Sequence, residues 1–262
     1  MIGRETTVSP PALAARERVF LWGGLTALTF LAWLYLVWMP MPADGGAMEH
    51  MGMAMVAAHG WTLHDALLMF AMWAVMMVAM MTPSAAPTIT MYARIAKSSA
   101  IARPWYVWFF LAGYAGAWTL FSALATAVQY YLQSIELVSE ALRAKPLLGA
   151  ALLAAAGVYQ LTSLKNVCLA HCRSPLSFFL SEWRDGPGGA FTMGLRHGMF
   201  CTGCCWMLMA LLFVAGVMNL AWVAAISVFV LLEKAAPGGR IAPTAAGVLL
   251  IVSGVAVAVL GR

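Results

Sequence analysis

Cysteine and histidine side chains are concentrated in two short segments of the sequence. One extends from Cys168 to Cys172 and the other from His197 to Cys205. Residues three or four positions apart share one face of a helix. Each segment therefore presents its chemically active side chains on one face: Cys168, His171, Cys172, His197, Cys201, Cys204 and Cys205. Thiolates and imidazoles bind copper(I), zinc and related ions, so the pattern predicts a shared metal site.

Two other interpretations of these segments stay open. Cys201 and Cys204 form a CxxC pair, which also serves thiol–disulfide exchange. A cysteine in a membrane helix is often a small packing residue, and His197 can simply hydrogen-bond a carbonyl on a neighbouring helix. The chain has five cysteines, an odd number, so they cannot all pair with one another. Two clusters that both carry a histidine on the cysteine face favour the metal site.

A methionine-rich segment precedes these clusters. Its candidate ligands are Met48, His50, Met51, Met53 and Met55, with Met39, Met41, His59 and His64 around them. Thioether and imidazole groups are neutral ligands that suit copper(I). The alternative is an amphipathic segment resting on a membrane surface, but the neighbouring residues are Gly, Ala and Pro rather than Leu or Ile. We therefore predict that this segment captures metal.

Further methionines form a stripe along the next apolar segment. They are spaced three and four residues apart: Met69, Met72, Met76 and Met80. Packing is the usual role of such a stripe, but this one starts beside the methionine-rich segment, and we predict Met76 and Met80 as weak ligands on a path to the cysteines. Zinc is the competing ion at the cysteine cluster. The methionines favour copper(I), because zinc rarely takes thioether ligands.

The elements that must position these residues are membrane helices. The chain is 63% hydrophobic and only 10% charged, whereas soluble domains carry roughly 25% charged residues. Backbone groups in lipid must be satisfied within the segment, which favours helices. We predict an all-α transmembrane bundle in which a tail, 1–18, precedes one domain, 19–262. Its seven spans are expected at 19–39, 63–82, 105–132, 147–167, 194–217, 220–233 and 241–260.

The distribution of basic residues predicts the orientation. With the N-terminus in the cytoplasm, only Arg143, Lys145 and Arg262 of the 15 Lys and Arg residues face outward, in keeping with the positive-inside rule. The loop 40–61 then faces outward and the cysteines lie near the cytoplasmic surface. Thiols stay reduced in that compartment, which favours ligands over structural disulfides.

Other polar and small residues suggest supporting roles. Glu233 and Lys234 close the sixth predicted span. An ionisable residue inside a membrane is a functional candidate by default, but Glu233 is expected near the interface, where a paired or snorkelling role is the alternative. Gly113, Gly116 and Ala117 are expected to allow close approach of helices. The sequence contains no phosphate loop, GxSxG elbow or HExxH motif. We therefore predict no ATP-driven pumping and no enzymatic activity. No basic cluster comes with exposed aromatic residues, so nucleic-acid binding is not expected either.

Several motifs occur together in an order that is similar to a known family. They are 73–87 (WAVMMVAMMTPSAAP), 168–176 (CLAHCRSPL), 194–198 (GLRHG), 201–206 (CTGCCW), 216–220 (GVMNL) and 233–234 (EK). Over about residues 60–240 the chain resembles a bacterial family of integral membrane proteins catalogued as a domain of unknown function. That family is described as predicted metal-binding, and some of its members are called copper chaperones.

The resemblance implies a location, a ligand set and a client. It implies a multi-pass protein of the bacterial inner membrane that supplies copper to a copper-dependent oxidase such as tyrosinase, with a soluble metallochaperone as another expected partner. By motif, the ligands would be the seven cysteine and histidine residues named above. The main hypothesis is thus a copper(I) chaperone or transfer protein. The alternatives are a membrane thiol–disulfide oxidoreductase using Cys201 and Cys204, and a structural-zinc or metal-free assembly subunit.

Overall fold

The chain folds into helices that pack side by side. The computed structural model describes residues 13–38, 61–98, 103, 105–139, 143–236 and 241–260. Across these ranges the only β pairing is an isolated bridge between Val138 and Ala144, which confirms the all-α prediction there. The helices are α1 (Ala15–Trp38), α2 (Leu63–Ser98), α3 (Tyr106–Ser134), α4 (Pro146–Leu161), α5 (Ser163–Arg173), α6 (Pro175–Glu182), α7 (Gly186–Ala210), α8 (Leu212–Ala215), α9 (Leu220–Ala235) and α10 (Ile241–Leu260).

Five stretches of helix in the described ranges are long and apolar enough to cross a membrane. These are α1, α2, α3, α7 with α8, and α10. The pair α4 and α5 makes a sixth if it counts as one span, although it is bent by 65°. Helix α9 has 16 residues, fewer than the roughly 20 that a span usually needs. The count of seven spans and the cytoplasmic N-terminus stay predictions.

Helix α2 is longer than its sequence predicts. The second span was expected to end at Pro83, with Arg94 and Lys97 in a loop, but α2 runs through that proline to Ser98. A proline has no N–H for the carbonyl four residues earlier, and here Trp33 of α1 donates to the Ala79 carbonyl at 3.2 Å. Neighbouring helices that satisfy freed carbonyls are what allow proline inside membrane helices.

The fourth predicted span, 147–167, is not one straight helix. The backbone of Thr162 is extended, and its side chain accepts a hydrogen bond from the Lys165 amide, which caps α5. The segment between the fourth and fifth predicted spans is not a plain loop either, since it contains α6. Phe178 and Phe179 of α6 are buried. Their rings contact Tyr92, Phe110 and His197, so this short helix packs against α2, α3 and the middle of α7.

Helices α3 and α7 approach each other more closely than ordinary side chains allow. A Cβ atom at Gly113 would lie 2.0 Å from the Phe191 carbonyl oxygen, and one at Gly198 would lie 2.6 Å from the Ala117 Cβ. Small residues permit this contact in membrane helices, so the prediction for Gly113 and Ala117 is confirmed. A Cβ atom at Gly116 would lie 3.9 Å from its nearest neighbour, which is an ordinary contact, so this position does not require glycine.

Candidate metal centre

Three of the cysteines lie on the buried face of α7. Cys201, Cys204 and Cys205 have exposed fractions of only 1–2%. Because α7 packs closely on α3, this face of α7 is not exposed. The thiols of Cys204 and Cys205 donate to the Cys201 carbonyl oxygen at 3.0 and 3.1 Å. These two side chains are therefore folded back against their own helix.

Helix α5 brings the other two cysteines to the same place. Helix α5 also brings Cys172 close to Cys201 and Cys204. The Cys168 sulfur lies against Gly203, only 2.9 Å from where a Cβ atom of that residue would stand. All five thiols are free. The two sequence segments predicted to converge thus meet between α5 and α7, and we call these five residues the cysteine cluster.

Three polar residues surround Cys201. The Lys234 ammonium group lies 3.0 Å from the Cys201 sulfur and donates to it, and it also donates to the Ser84 hydroxyl at 2.9 Å. The Tyr114 hydroxyl lies 3.1 Å from the same sulfur. Charge-assisted hydrogen bonds of this kind stabilise negative charge on a sulfur atom. For Glu233, the paired role is the one observed, with Lys165 as its partner. Tyr114 and Ser84, which lies within the 73–87 motif, were not predicted as site residues, because their contacts are with residues distant in the sequence.

A buried ion pair holds α9 against α5. Lys165 donates to both Glu233 carboxylate oxygens at 2.7 and 2.9 Å, and both side chains are almost fully buried. Gln160 donates to the same carboxylate at 3.2 Å, and Arg173 donates to the Glu233 carbonyl oxygen. A buried pair is costly to break because the remaining charge is left uncompensated. These contacts position the neighbouring Lys234 at the cysteine cluster.

His197 lies in an aromatic environment one turn before Cys201. It is 2% exposed, and its ring lies against Phe110, Tyr114 and Phe178. Its Nδ1 atom has no hydrogen-bond partner, so the carbonyl hydrogen bond considered from the sequence is not formed by this atom. A buried polar atom without a partner needs an explanation, and an unpaired ring nitrogen suits a ligand.

His171 is half-buried and its ring is held in a defined orientation. The ring stacks on Phe200 with centroids 4.2 Å apart, and its Nδ1 atom lies 2.9 Å from the Val167 carbonyl oxygen. A carbonyl oxygen only accepts, so Nδ1 carries the hydrogen of that bond and the lone pair of the neutral ring is on Nε2. Fixing the tautomer through the second nitrogen is how metal-binding histidines are commonly oriented.

The methionine stripe of α2 lies in the core and ends beside the cysteine cluster. Met72, Met76 and Met80 are no more than 2% exposed. At the start of the stripe, the Met69 sulfur accepts a hydrogen bond from Gln129 at 3.4 Å. At its end, the Tyr114 hydroxyl donates to the Met81 carbonyl oxygen at 3.3 Å and contacts Cys201. Both packing and a metal path predict burial, so Met76 and Met80 as ligands stay a prediction.

The methionine-rich segment lies outside the described residues. This applies to Met39, Met41, Met48, His50, Met51, Met53, Met55 and His59. Only His64, at the start of α2, is described, and it is exposed. Metal capture by this segment stays a prediction.

The described ranges contain no group of three or more His, Cys, Asp or Glu side chains already arranged around a metal position. The reason lies in the hydrogen bonds given above. Cys204 and Cys205 are bonded to their own helix, and Cys201 is engaged by Lys234 and Tyr114. Binding a metal ion therefore requires these thiols to exchange their hydrogen bonds for metal–sulfur bonds.

Comparison with known proteins agrees with the chemistry of these side chains. A family model described as PpoB2, copper chaperone, matches residues 70–257. No curated protein and no solved structure matches the chain significantly. The matched region includes the whole cysteine cluster, both candidate histidines and Lys234, and it leaves out the methionine-rich segment. It also covers most of the chain and confirms the resemblance seen in the motifs. The chain therefore belongs to the PpoB2 copper chaperone family.

Proposed function

We propose that this protein is a membrane-embedded carrier of copper(I), which the cysteine cluster holds as cargo. The observation that supports this most directly is the convergence of thiols from two helices. Cys172 lies close to Cys201 and Cys204, and none of the three is paired in a disulfide. Thiolates are the protein ligands that most favour copper(I). A family of copper chaperones suggests a carrier rather than a catalyst.

The charges around the cluster suit a monovalent ion. A copper(I) ion bound by two thiolates carries one net negative charge, and the thiols release their protons when they bind. The Lys234 ammonium lies against Cys201 and compensates that charge in a medium of low dielectric constant. The nearby Lys165–Glu233 pair is neutral as a unit, so Lys234 is left to supply the compensation.

The neutral methionines provide a route to these charged ligands. We propose that the methionine-rich segment captures copper(I) on the outer side of the bacterial inner membrane, with the N-terminus in the cytoplasm. Met76 and Met80 then act as weak intermediate ligands, since thioethers bind copper(I) without proton exchange. A copper-dependent oxidase or a soluble metallochaperone is the expected partner. Exchange between soft ligands of similar strength allows movement in either direction.

Copper(I) binding by the purified full-length protein tests this proposal. The protein, in lipid nanodiscs under reducing conditions, is titrated against a chromophoric copper(I) chelator. The wild type should bind one tight equivalent, and the Cys201→Ser/Cys204→Ser variant should lose it. Thr202→Ala is the matched control, because Thr202 lies between these cysteines and hydrogen-bonds only to its own helix at Gly198.

The opposite results are equally clear. One equivalent of zinc with no copper(I) binding would make the cluster a structural zinc site. No metal binding under reducing conditions would contradict both metal proposals.

One observation favours a second candidate, a thiol–disulfide oxidoreductase. A lysine next to a cysteine favours the thiolate, which is the nucleophile in thiol exchange, and Lys234 has this position beside Cys201. Replacing His171 and His197 by alanine distinguishes the candidates. Metal binding should weaken in that variant, whereas dithiol chemistry at Cys201 and Cys204 should largely survive.

A further inference from the structure

The thiols of the cysteine cluster differ in their access to the surroundings. Those of α7 are 1–2% exposed. Cys172 is half-buried, but its thiol is turned toward Cys201 and Cys204. Cys168 is also half-buried, and its sulfur lies at the edge of the cluster against the backbone of Gly203. Cys168 is therefore the thiol that an approaching ligand meets first.

A second candidate ligand accompanies Cys168 on α5. His171 is three residues further along, on the same helix face, and it is also half-buried. Its Nδ1 atom is engaged by the Val167 carbonyl and its ring is stacked on Phe200. The Nε2 lone pair of the neutral ring is thus available to a metal ion.

The helix that carries this pair is the polar half of the bent pair α4–α5. Helix α4 contains no charged residue, whereas α5 contains the charged residues Lys165 and Arg173 and the polar residue Asn166. The break at Thr162 turns α5 away from the α4 direction by 65°. Contacts of Lys165 and Arg173 with Glu233 keep it in this position. These contacts hold Cys168 and His171 firmly at the edge of the cluster.

We infer that Cys168 and His171 form the position at which the cysteine cluster exchanges copper(I) with a soluble carrier, whereas the buried thiols of Cys172, Cys201, Cys204 and Cys205 hold it. This division rests on the proposed copper(I) function. The partner is a soluble carrier that presents copper(I) on its own thiolate, and His171 steadies the ion during exchange.

The exchange balances without any change of oxidation state. The Cys168 sulfur forms a bond to copper(I) while a carrier sulfur–copper bond breaks, and the Cys168 proton passes to the departing carrier thiolate. Cys204, which lies close enough to Cys168 to interact with it electrostatically, repeats the step. Its sulfur takes the ion, and its proton returns to the Cys168 sulfur. Release is the reverse sequence.

The test separates how tightly copper(I) is held from how fast it moves. Full-length protein in nanodiscs is loaded with one equivalent of copper(I). Affinity is measured by competition, and transfer is followed by stopped-flow with excess chromophoric chelator. Cys168→Ser should keep the affinity within about threefold of wild type but slow transfer by about tenfold or more, the range typical when a residue that supports a metal site is lost. Cys205→Ser, the comparison variant, should lower the affinity.

A steric variant leaves every thiol in the chain. In Gly203→Ala the new methyl group would stand 2.9 Å from the Cys168 sulfur. That sulfur is the end of a short side chain and rotates away, so the fold should be kept while transfer slows. The double variant Gly203→Ala/Cys168→Ser should be no slower than Cys168→Ser alone, because both changes act on the same atom.

Two results would overturn the division. If Cys168→Ser loses affinity as severely as Cys201→Ser/Cys204→Ser, Cys168 belongs to the holding group. If it transfers copper(I) at the wild-type rate, exchange occurs elsewhere. Both results leave the copper(I) function standing. If the wild-type protein binds no copper(I), both the proposed copper(I) function and the separate roles of the exchanging and holding residues are contradicted.

Discussion

Three methionines of the stripe on α2 and the three α7 thiols of the cysteine cluster are equally well buried, yet their surroundings differ. Met72, Met76 and Met80 lie in the core among apolar residues. The cysteine cluster lies beside a lysine, a tyrosine and a serine that contact one another or Cys201. Polar groups within an apolar bundle are expensive unless they are paired. The comparison teaches that polar partners, rather than burial, distinguish a site for chemistry from a packed core.

The largest expected effect comes from breaking the ion pair that supports the cluster. Glu233→Leu leaves the Lys165 ammonium buried without its partner, which should lower the free energy of unfolding by about 3–5 kcal/mol. Unfolding in detergent, followed by helical circular dichroism, measures the loss. Lys165→Met/Glu233→Leu removes both charges and should recover most of the stability. A double variant as unstable as the single one would contradict the assignment of the loss to an unpaired charge.

The next effect concerns the packing that keeps the α7 thiols buried. In Gly194→Ala the new Cβ atom would lie 1.9 Å from the Phe110 carbonyl oxygen. Helices α3 and α7 must then separate, at a cost of about 1–3 kcal/mol in the free energy of unfolding, and copper(I) affinity should fall as well. Gly116→Ala on the same interface is the control, because its nearest neighbour would be 3.9 Å away. Equal destabilisation by both variants would rule out close approach as the cause.

A smaller effect is expected from removing the charge beside Cys201. Lys234→Met should weaken copper(I) binding by about tenfold, because the negatively charged copper–dithiolate unit loses its compensating charge. The competition titration described above measures it. Lys97→Met is the matched control, since Lys97 pairs with Glu17 at the surface. Unchanged affinity in Lys234→Met would mean that the ammonium contributes nothing to the bound state.

The smallest thermodynamic effect is expected in the stripe itself. Met76→Leu and Met80→Leu preserve side-chain volume, so the free energy of unfolding should change by less than about 1.5 kcal/mol and copper(I) affinity should not change. If the stripe is a path, delivery of copper to a copper enzyme in cells should still slow several-fold. If both variants deliver copper at the normal rate, the methionines of the stripe have only a packing role.

Local sequence patterns predicted a good part of this molecule. The periodicity of thiols and imidazoles placed Cys168 and Cys172 on one helix face and Cys201, Cys204 and Cys205 on another. Helical spacing also predicted the methionine stripe, and the apolar composition predicted an all-helical chain. These features depend on residues within one or two turns of each other, which is the range over which a sequence pattern determines geometry.

Contacts between distant segments were decided only by the tertiary structure. The continuation of α2 beyond Pro83 depends on Trp33 of another helix, and the position of α5 depends on the pairing of Lys165 with Glu233. The side chains that contact Cys201 come from α3 and α9, and Ser84 of α2 contacts one of them. A sequence by itself determined which side chains were available and which shared a helix face. Which of them meet is decided by how the helices pack, because buried polar groups must find their partners wherever the fold brings them.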